Sequence, residues 1–460
     1  MLNINHYITF FKEASNYNTI INIRLNQLHL LIILVYDDID ATLFLNIKFY
    51  LDLYMKMNVN DKTVKMTTFL AALFAICSGL AIGNLYWAQP LLVEITNAFG
   101  LSPASGGLLV TATQIGYALG IFFIVPLGDF VRRKRLIAIV MILSVVTLLA
   151  CALSPSFIIL SLSLFSMGIV TISGQIILPL AGDLSSPEQR GHIVGIVASG
   201  ITTGILFSRF ISGIIAGLWG WRSVYLIAAA LNLIMVLVMI YVLPDIPRKN
   251  KLESYKGLLF SVFTTFKRHN TLFRILLHSG LLFGLVFNIF WTSLTFLLSG
   301  EPFNYNTFQI GLVSLAGLVS AVCGLYFGKL QDKGLSVPAL GAFIVIILIS
   351  MICGFVFSDS IIALVIIAAV FSIGVQGITV LSQARLFALS NEERSRLNTV
   401  FVVNNFIFGA IGSALASFLW SIGGWSYVMI GSIVISVMAL GVWLSSRKPF
   451  READNLILGD

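Results

Sequence analysis

The sequence predicts an all-α integral membrane protein of twelve transmembrane helices in two pseudo-symmetric six-helix bundles. Three observations predict it. Hydrophobic residues make up 58% of the 460 and charged residues only 10%, with a mean hydropathy of +0.96. A soluble domain carries about 25% charge, so this chain lacks the polar surface that water requires, and its solvent is lipid. Apolar runs long enough to cross a bilayer, about 20 residues each, recur from residue 67 onward. The chain also repeats itself: Asn84 and Trp87 in "GNLYWAQPLL" return 204 residues later as Asn288 and Trp291 in "FNIFWTSLTFLL". The same offset carries Gly220–Trp221 onto Gly424–Trp425, and Glu188 and Arg190 onto Glu392 and Arg394.

Residues 1–66 differ from the rest. They hold no Gly, Pro or Trp, and their basic and acidic residues balance. The run "LHLLIILVY" (29–37) is too short to span, and nothing around it resembles a signal peptide. Two readings stand: a cytoplasmic extension, or translation of AT-rich sequence upstream of a start at Met55, Met57 or Met66. Composition favours the second. The predicted spans follow at 68–90, 105–128, 136–154, 157–181, 192–217, 222–243, 272–298, 308–329, 336–357, 361–387, 398–420 and 425–445. Backbone groups in lipid need internal partners, so these are helices. The Pro- and Lys/Arg-bearing stretch 244–271 separates a first bundle, 67–243, from a second, 272–446, and 447–460 forms a tail. Gly200 and Gly204, and Gly213 and Gly217, have the G-x-x-x-G spacing that lets helix backbones approach.

Charge sets the topology. Arg132, Arg133, Lys134, Arg135, Arg190, the basic residues from Arg248 to Arg268, Lys329, Lys333, Arg394, Arg396, Arg447, Lys448 and Arg451 all fall on one side, and the opposite loops hold only Arg222. By the positive-inside rule that side, with both termini, is cytoplasmic. The asymmetry accounts for the net charge of +8 without nucleic acid. The four cysteines are scattered and form no Cys/His cluster, so neither a metal nor a disulfide is expected, and no cofactor.

Two matched motifs sit at cytoplasmic helix ends. Span 2 ends in "VPLGDFVRRKRL" (125–136) and span 8 in "GKLQDKGL" (328–335). An acid at a helix end can pair with a nearby Arg or with a neighbouring helix N-terminus, locking one arrangement of two bundles and releasing it in another. Asp129, Arg133, Lys134, Asp332 and Lys333 are the candidate gate. A charged stop at the membrane surface is the simpler alternative for either motif taken singly.

These motifs resemble the major facilitator superfamily, whose signature after span 2 is Gly-x-Leu-Ala-Asp-Arg-x-Gly-Arg-Arg/Lys. Leu127, Asp129, Arg133 and Lys134 match it, while Val125 and Arg132 replace its glycines; Gly328, Leu330, Asp332, Lys333 and Gly334 match the second copy. The resemblance covers residues 67 to about 446. "NLYWAQPLL", "SPEQRGHIVG", "GWR" and "QARLFALSNEERSRLNTVF" are similar to one bacterial branch of drug and metabolite exporters. Two departures weigh against drug–proton antiport. Ser166 stands in mid-span 4 where many such antiporters carry Arg, and "GITTGILFSRFISG" (200–213) lacks their Gly-Pro motif.

The candidate site follows from polar residues inside spans. Arg209 lies deep in span 5, where a charge is costly and functional by default. It either faces a cavity and attracts an anionic group of the substrate or a coupling carboxylate, or it snorkels to the outer surface or pairs with backbone carbonyls. The resemblance implies that spans 1, 4, 7 and 10 line that cavity, which favours Asn84, Gln175, Asn288 and Gln376. Gln114 joins them, and Trp87 and Trp291 either stack on substrate or belong to an interfacial belt. No carboxylate sits at mid-membrane, so Glu94, Asp129 and the in-span His278 are the proton-coupling candidates. No Walker sequence occurs, which argues against direct ATP use. The expected protein is no enzyme. It is a monomeric secondary transporter in a bacterial inner membrane, moving small organic molecules by proton-coupled efflux. Uptake of a small anionic nutrient is the alternative, and a receptor or scaffold a more distant one.

Overall fold

Lipid forces every span of this chain to satisfy its backbone by helix formation. The computed structural model describes residues 66–186, 189–243, 271–390 and 393–458, with Tyr255, Gly257 and Leu259. The expected N-terminal extension, nearly all of the linker and the Glu188/Glu392 pair lie outside these residues. Among the described residues there is no strand, and ten helices are long and apolar enough to cross a membrane by length and composition.

The first half contains α1 (Thr68–Gly83), α2 (Leu92–Ala98), α3 (Gly106–Phe123), α4 (Arg133–Ala152), α5 (Phe157–Val170), α6 (Ser173–Leu184), α7 (Arg190–Trp219) and α8 (Trp221–Val242). The second contains α9 (Leu272–Ser279), α10 (Phe287–Ser299), α11 (Thr307–Val313), α12 (Leu318–Asp332), α13 (Ser336–Val356), α14 (Ile361–Ala388) and α15 (Arg394–Leu458). The last is two rods, because Gly423 and Gly424 leave helical geometry inside it. With α15 divided there, and α1 counted as a short member, the described residues hold twelve apolar helical segments.

The repeat is visible in the backbone. Gly220 and Gly424 both have positive φ, 80° and 59°, at the junction before the last helix of each half. Glycine alone adopts this without a Cβ penalty. The tryptophans that follow, Trp221 and Trp425, are both buried.

Several predicted spans are interrupted. Span 1 stops at Gly83, turns through Asn84–Ala88 and resumes beyond the 3-10 turn Gln89–Leu91, which Pro90 opens. Span 4 breaks between α5 and α6, where the Thr171 hydroxyl donates to Ala81 O at 2.8 Å. Span 7 carries a π-helical stretch, Gly280–Val286, between α9 and α10. Breaks of this kind are tolerated in a membrane where protein rather than lipid surrounds them.

The two G-x-x-x-G pairs serve different contacts. A Cβ on Gly79 would stand 2.7 Å from Gly200 O, and Gly204 packs against the same Gly79, so α1 and α7 cross backbone to backbone within the first half. A Cβ on Gly213 would stand 2.8 Å from Gly311 Cα, and one on Gly217 3.0 Å from Phe308 Cβ. That second pair joins α7 to α11, across the halves. The other principal junction is α3 against α15.

Candidate functional site

Where the halves meet, Arg209 of α7 lies 1% exposed. The turn after Gly83 brings Tyr86 and Gln89 to it from the first half. Phe287 and Trp291, four apart and therefore on one face of α10, come from the second. Arg209 Nε donates to Gln89 Oε1 at 2.5 Å. The guanidinium carbon lies 4.7 Å from the Tyr86 ring centroid, 4.9 Å from Trp291 and 5.2 Å from Phe287. Its two terminal nitrogens have no hydrogen-bond partner, nor do Gln89 Nε2 and Trp291 Nε1.

A single Arg at mid-bilayer costs about 2.5–3.5 kcal/mol on the insertion scale. Cation–π contacts contribute about 0.5–2 kcal/mol each. Three of them, with the Gln89 bond, are of the right size to hold the charge without a counter-ion. They give the guanidinium no acceptor for its four terminal N–H groups. Among the described residues no Asp or Glu is buried, whereas Arg209 and Arg385 are.

The halves are stitched together on one side of this cluster. Glu94 Oε1 accepts the Trp221 backbone N–H at 2.9 Å, at the N-terminus of α8, while Glu94 Oε2 accepts from Thr307 Oγ1 of α11 at 2.8 Å. Thr295 Oγ1 donates to Gln89 O at 3.0 Å. Thr111 Oγ1 donates to Ala410 O at 3.2 Å, Gln114 Nε2 to Asn288 Oδ1 at 2.5 Å, and the Tyr117 and Phe406 rings stand 4.4 Å apart. These contacts run from the end opposite the basic loops to mid-helix. At the basic end the described pairs run within a half. Arg133 binds Asp183 at 2.7 Å, Arg190 Nε donates to Gly182 O at 2.9 Å, Lys134 Nζ to Leu243 O at 2.5 Å, Arg274 to Ser445 O at 2.6 Å and Gln383 to Asn398 at 3.2 Å.

The expected site residues therefore separate. Arg209, Trp291, Asn288 and Gln114 lie at the contact between halves. Asn84 does not offer itself to a cavity. Its Nδ2 donates to Thr171 Oγ1 at 2.9 Å and Ser144 Oγ at 3.4 Å, and its Oδ1 accepts from Trp87 Nε1 at 2.8 Å and Asn232 Nδ2 at 3.5 Å. The helix ends just before Asn84, and the turn directs it and Trp87 into the first half. Gln175 donates to the Tyr117 hydroxyl at 3.2 Å, beside the Phe406 contact. Gln376 fills the space over Gly324, between α14 and α12 of the second half.

Among the gate residues, Arg133 and Lys134 tie the first half to itself in this conformation. Lys333 is exposed, and the side chains of Asp129 and Asp332 lie outside the described residues. Of the coupling candidates, Glu94 bridges the halves. His278 is buried at the other end of its half, with Nδ1 2.6 Å from Arg274 O and its ring 5.8 Å from that of Phe450.

Sequence reasoning did not bring Tyr86, Gln89, Phe287 or Thr307 to the site. Their signal lay in the two repeated segments: Tyr86 and Gln89 flank Trp87, and Phe287 precedes Trp291 by one helical turn. Reading span 1 as an unbroken helix concealed which of them face Arg209.

The family model for the Major Facilitator Superfamily matches residues 72–355 and 313–457. An uncharacterized transporter of Escherichia coli O157:H7, YgaY, is 37% identical over 374 residues, 81% of this chain and 94% of that protein. A Helicobacter pylori (strain 26695) protein named "Probable sugar efflux transporter" is 24% identical, covering 76% of this chain and 84% of its own. In three dimensions the chain is similar to a bacterial homologue of the human lysosomal transporter Spinster, solved inward-facing and unoccupied. The TM-score is 0.68 at 18% identity, over 84% of this chain and 98% of that one.

Proposed function

The chain belongs to the major facilitator superfamily and is one of its membrane transporters, and from that premise we propose that it exports small organic molecules by alternating access, driven by the proton gradient. One observation carries the reading. A buried polar cluster drawn from both halves sits beside a seam that hydrogen bonds and close backbone packing stitch at the end opposite the basic loops. Two bundles that rock about such a cluster expose it first to one side and then to the other.

If the basic end is cytoplasmic, the stitched end faces out and this conformation is closed to the outside. The relatives that match are bacterial, which supports an inner-membrane setting. A single chain supplies both faces of the cluster, so a monomer suffices. Efflux is supported by the name of the Helicobacter pylori relative. Proton coupling is supported by Glu94, the coupling candidate that bridges the halves, where loss of its charge weakens a charge-assisted contact across the seam.

Proteoliposomes incubated with a compound panel test this. An imposed proton gradient should drive accumulation of at least one compound, and collapse of the gradient should abolish it; transport indifferent to the gradient would sink proton coupling. A second reading, uptake of a small anionic nutrient, is favoured by the basic character of the buried charges. A deletion strain separates the two. Hypersensitivity to toxic compounds supports export, and a growth defect on one carbon source supports uptake.

A further inference from the structure

We propose that the Arg209 cluster is a binding site for the carboxylate of a small organic monoacid, and that the transported molecule carries that group. The inference rests on the reading that the contact between halves is the transport site. It begins with the polar atoms left over. The cluster's unpartnered atoms are the two terminal nitrogens of Arg209, Gln89 Nε2 and Trp291 Nε1. Every one is a donor. A guanidinium, an amide NH2 and an indole N–H offer no lone pair, and a carboxylate is the common organic group that only accepts. An amine would meet like charge, and an alcohol or amide would bring a donor to atoms that are themselves donors.

Among the described residues no carboxylate is buried to serve as that acceptor, and Glu94 is committed to Trp221 and Thr307. Geometry narrows the ligand further. Gln89 holds Nε of Arg209, which leaves the end-on pair of terminal nitrogens for a two-oxygen contact. One fixed positive charge in a low-dielectric surround is neutralised by one negative charge. A dianion would leave an uncompensated charge buried, at a desolvation penalty. The faces of Tyr86, Phe287 and Trp291 around the guanidinium suit an acid with an apolar body. Because ligands of this cluster touch Gln89 and Arg209 of one half and Trp291 of the other, binding also bridges the halves.

The test uses the purified full chain in detergent and measures melting temperature against acetate, butyrate, benzoate and phenylacetate. Benzamide, benzylamine, chloride and sulfate serve as comparisons. At least one of the acids should raise the melting temperature saturably, at concentrations at least tenfold below any effect of benzamide or benzylamine. Arg209→Gln should abolish that response. Its ligand-free melting temperature should equal or exceed that of the parent, since an unpaired buried charge is gone. Arg209→Lys keeps the charge without the fork and should weaken the acid at least tenfold; it also carries the test should Arg209→Gln fail to accumulate.

The proposal is overturned if none of the four acids is bound, if benzamide matches benzoate, or if Arg209→Gln responds as the parent does. Binding of chloride or sulfate alone would mark an inorganic-anion site and overturn it equally. Transport is read separately in proteoliposomes. Arg209-dependent binding without movement of any acid leaves the site standing and sinks the transport reading. Movement of neutral or cationic compounds that is indifferent to Arg209→Gln does the reverse.

Discussion

Asn84–Trp87 and Asn288–Trp291 occupy equivalent places in the two halves and perform different tasks. In the first copy the tryptophan gives its N–H to the asparagine, and the asparagine binds Ser144, Thr171 and Asn232. Four predicted spans of one half are knotted at that residue. In the second copy Asn288 donates to Gly284 O at 2.8 Å and accepts from Gln114 of the other half at 2.5 Å. Trp291 keeps a free N–H and turns its ring to Arg209. The difference lies in the backbone. Asn84 follows the end of α1, whereas Asn288 stays inside α10. A repeated residue pair therefore shows that the halves are related, but not that both copies serve the same site. The G-x-x-x-G pairs teach the same lesson, one holding α7 within its half and the other holding it to the neighbouring half.

The largest expected effect comes from Asn84→Ala. Interhelical hydrogen bonds in membrane proteins average about 0.6 kcal/mol, with a maximum near 1.7, and a buried orphaned donor costs about 1–3 kcal/mol. Losing this knot and stranding the Trp87 N–H should cost about 3 kcal/mol or more. A large drop in melting temperature, or loss of monodisperse protein, is the expected result. Asn288→Ala removes contacts of one asparagine to two partners and should cost about 1–2 kcal/mol with the fold retained. Equal losses at the two sites would break the comparison.

This contrast also marks what could be read from the chain alone. Hydropathy located the spans because lipid selects for apolar residues whatever the detailed path of the backbone. The 204-residue offset located Gly220 and Gly424, since a positive-φ junction admits little else. Arg209 was conspicuous because a charge inside a span is expensive. The turn at Asn84–Ala88 was not legible. It replaces a few helical residues inside an apolar stretch, and a window of hydropathy is blind to φ and ψ. With the turn unseen, Asn84 was assigned to the cavity, and Tyr86 and Gln89 were left out of the cluster they form with Arg209. The Arg133–Asp183 pair escaped for a related reason. Nothing in their spacing says that α4 begins beside the end of α6.

Next in size is a pair of glycine substitutions. Gly200→Leu forces a side chain between α1 and α7 and should lower the melting temperature of the first half. Gly213→Leu forces one between α7 and α11, at the contact between the halves; if the bundles rock there, folded protein should survive with its conformation displaced. Overpacking costs about 1–3 kcal/mol, enough to shift a two-state equilibrium roughly five- to 150-fold. Labels at Asn97 and Asn304, exposed on the two halves at the stitched end, would report a longer separation in Gly213→Leu. Cys323 and Cys353 would first be replaced by serine. An unchanged distance would mean that the seam does not open there.

Substituting the tryptophans sharpens the same contrast at lower cost. Trp87→Phe leaves Asn84 Oδ1 with only the long Asn232 contact and should lose about 1 kcal/mol of stability. Trp291→Phe gives up no hydrogen bond and keeps a ring over Arg209, so, with a similar cavity left at each buried site, it should lose less than Trp87→Phe by about the 1 kcal/mol of that bond. Its effect should appear in ligand affinity, because the cation–π attraction of Phe is weaker than that of Trp. Chemical denaturation of the two variants side by side would decide this, and a Trp291→Phe loss as large as that of Trp87→Phe would show a structural role at both.

The smallest effect is expected at Glu94. Its carboxylate sits at the N-terminus of α8, where a negative charge contributes about 0.3–1 kcal/mol, and it holds Thr307 across the seam. Glu94→Gln keeps the shape: its carbonyl oxygen can still accept from the Trp221 backbone N–H and its NH2 can donate to the Thr307 hydroxyl, both without the assistance of charge. The latch should weaken by about 1 kcal/mol. The Asn97–Asn304 labels should then show a severalfold larger open population with little change in melting temperature, because the lost contact joins the halves and is not part of either core. If Glu94→Gln instead lowered the melting temperature as Asn84→Ala does, Glu94 would belong with the knot inside the first half, and the seam would lose its charged closure.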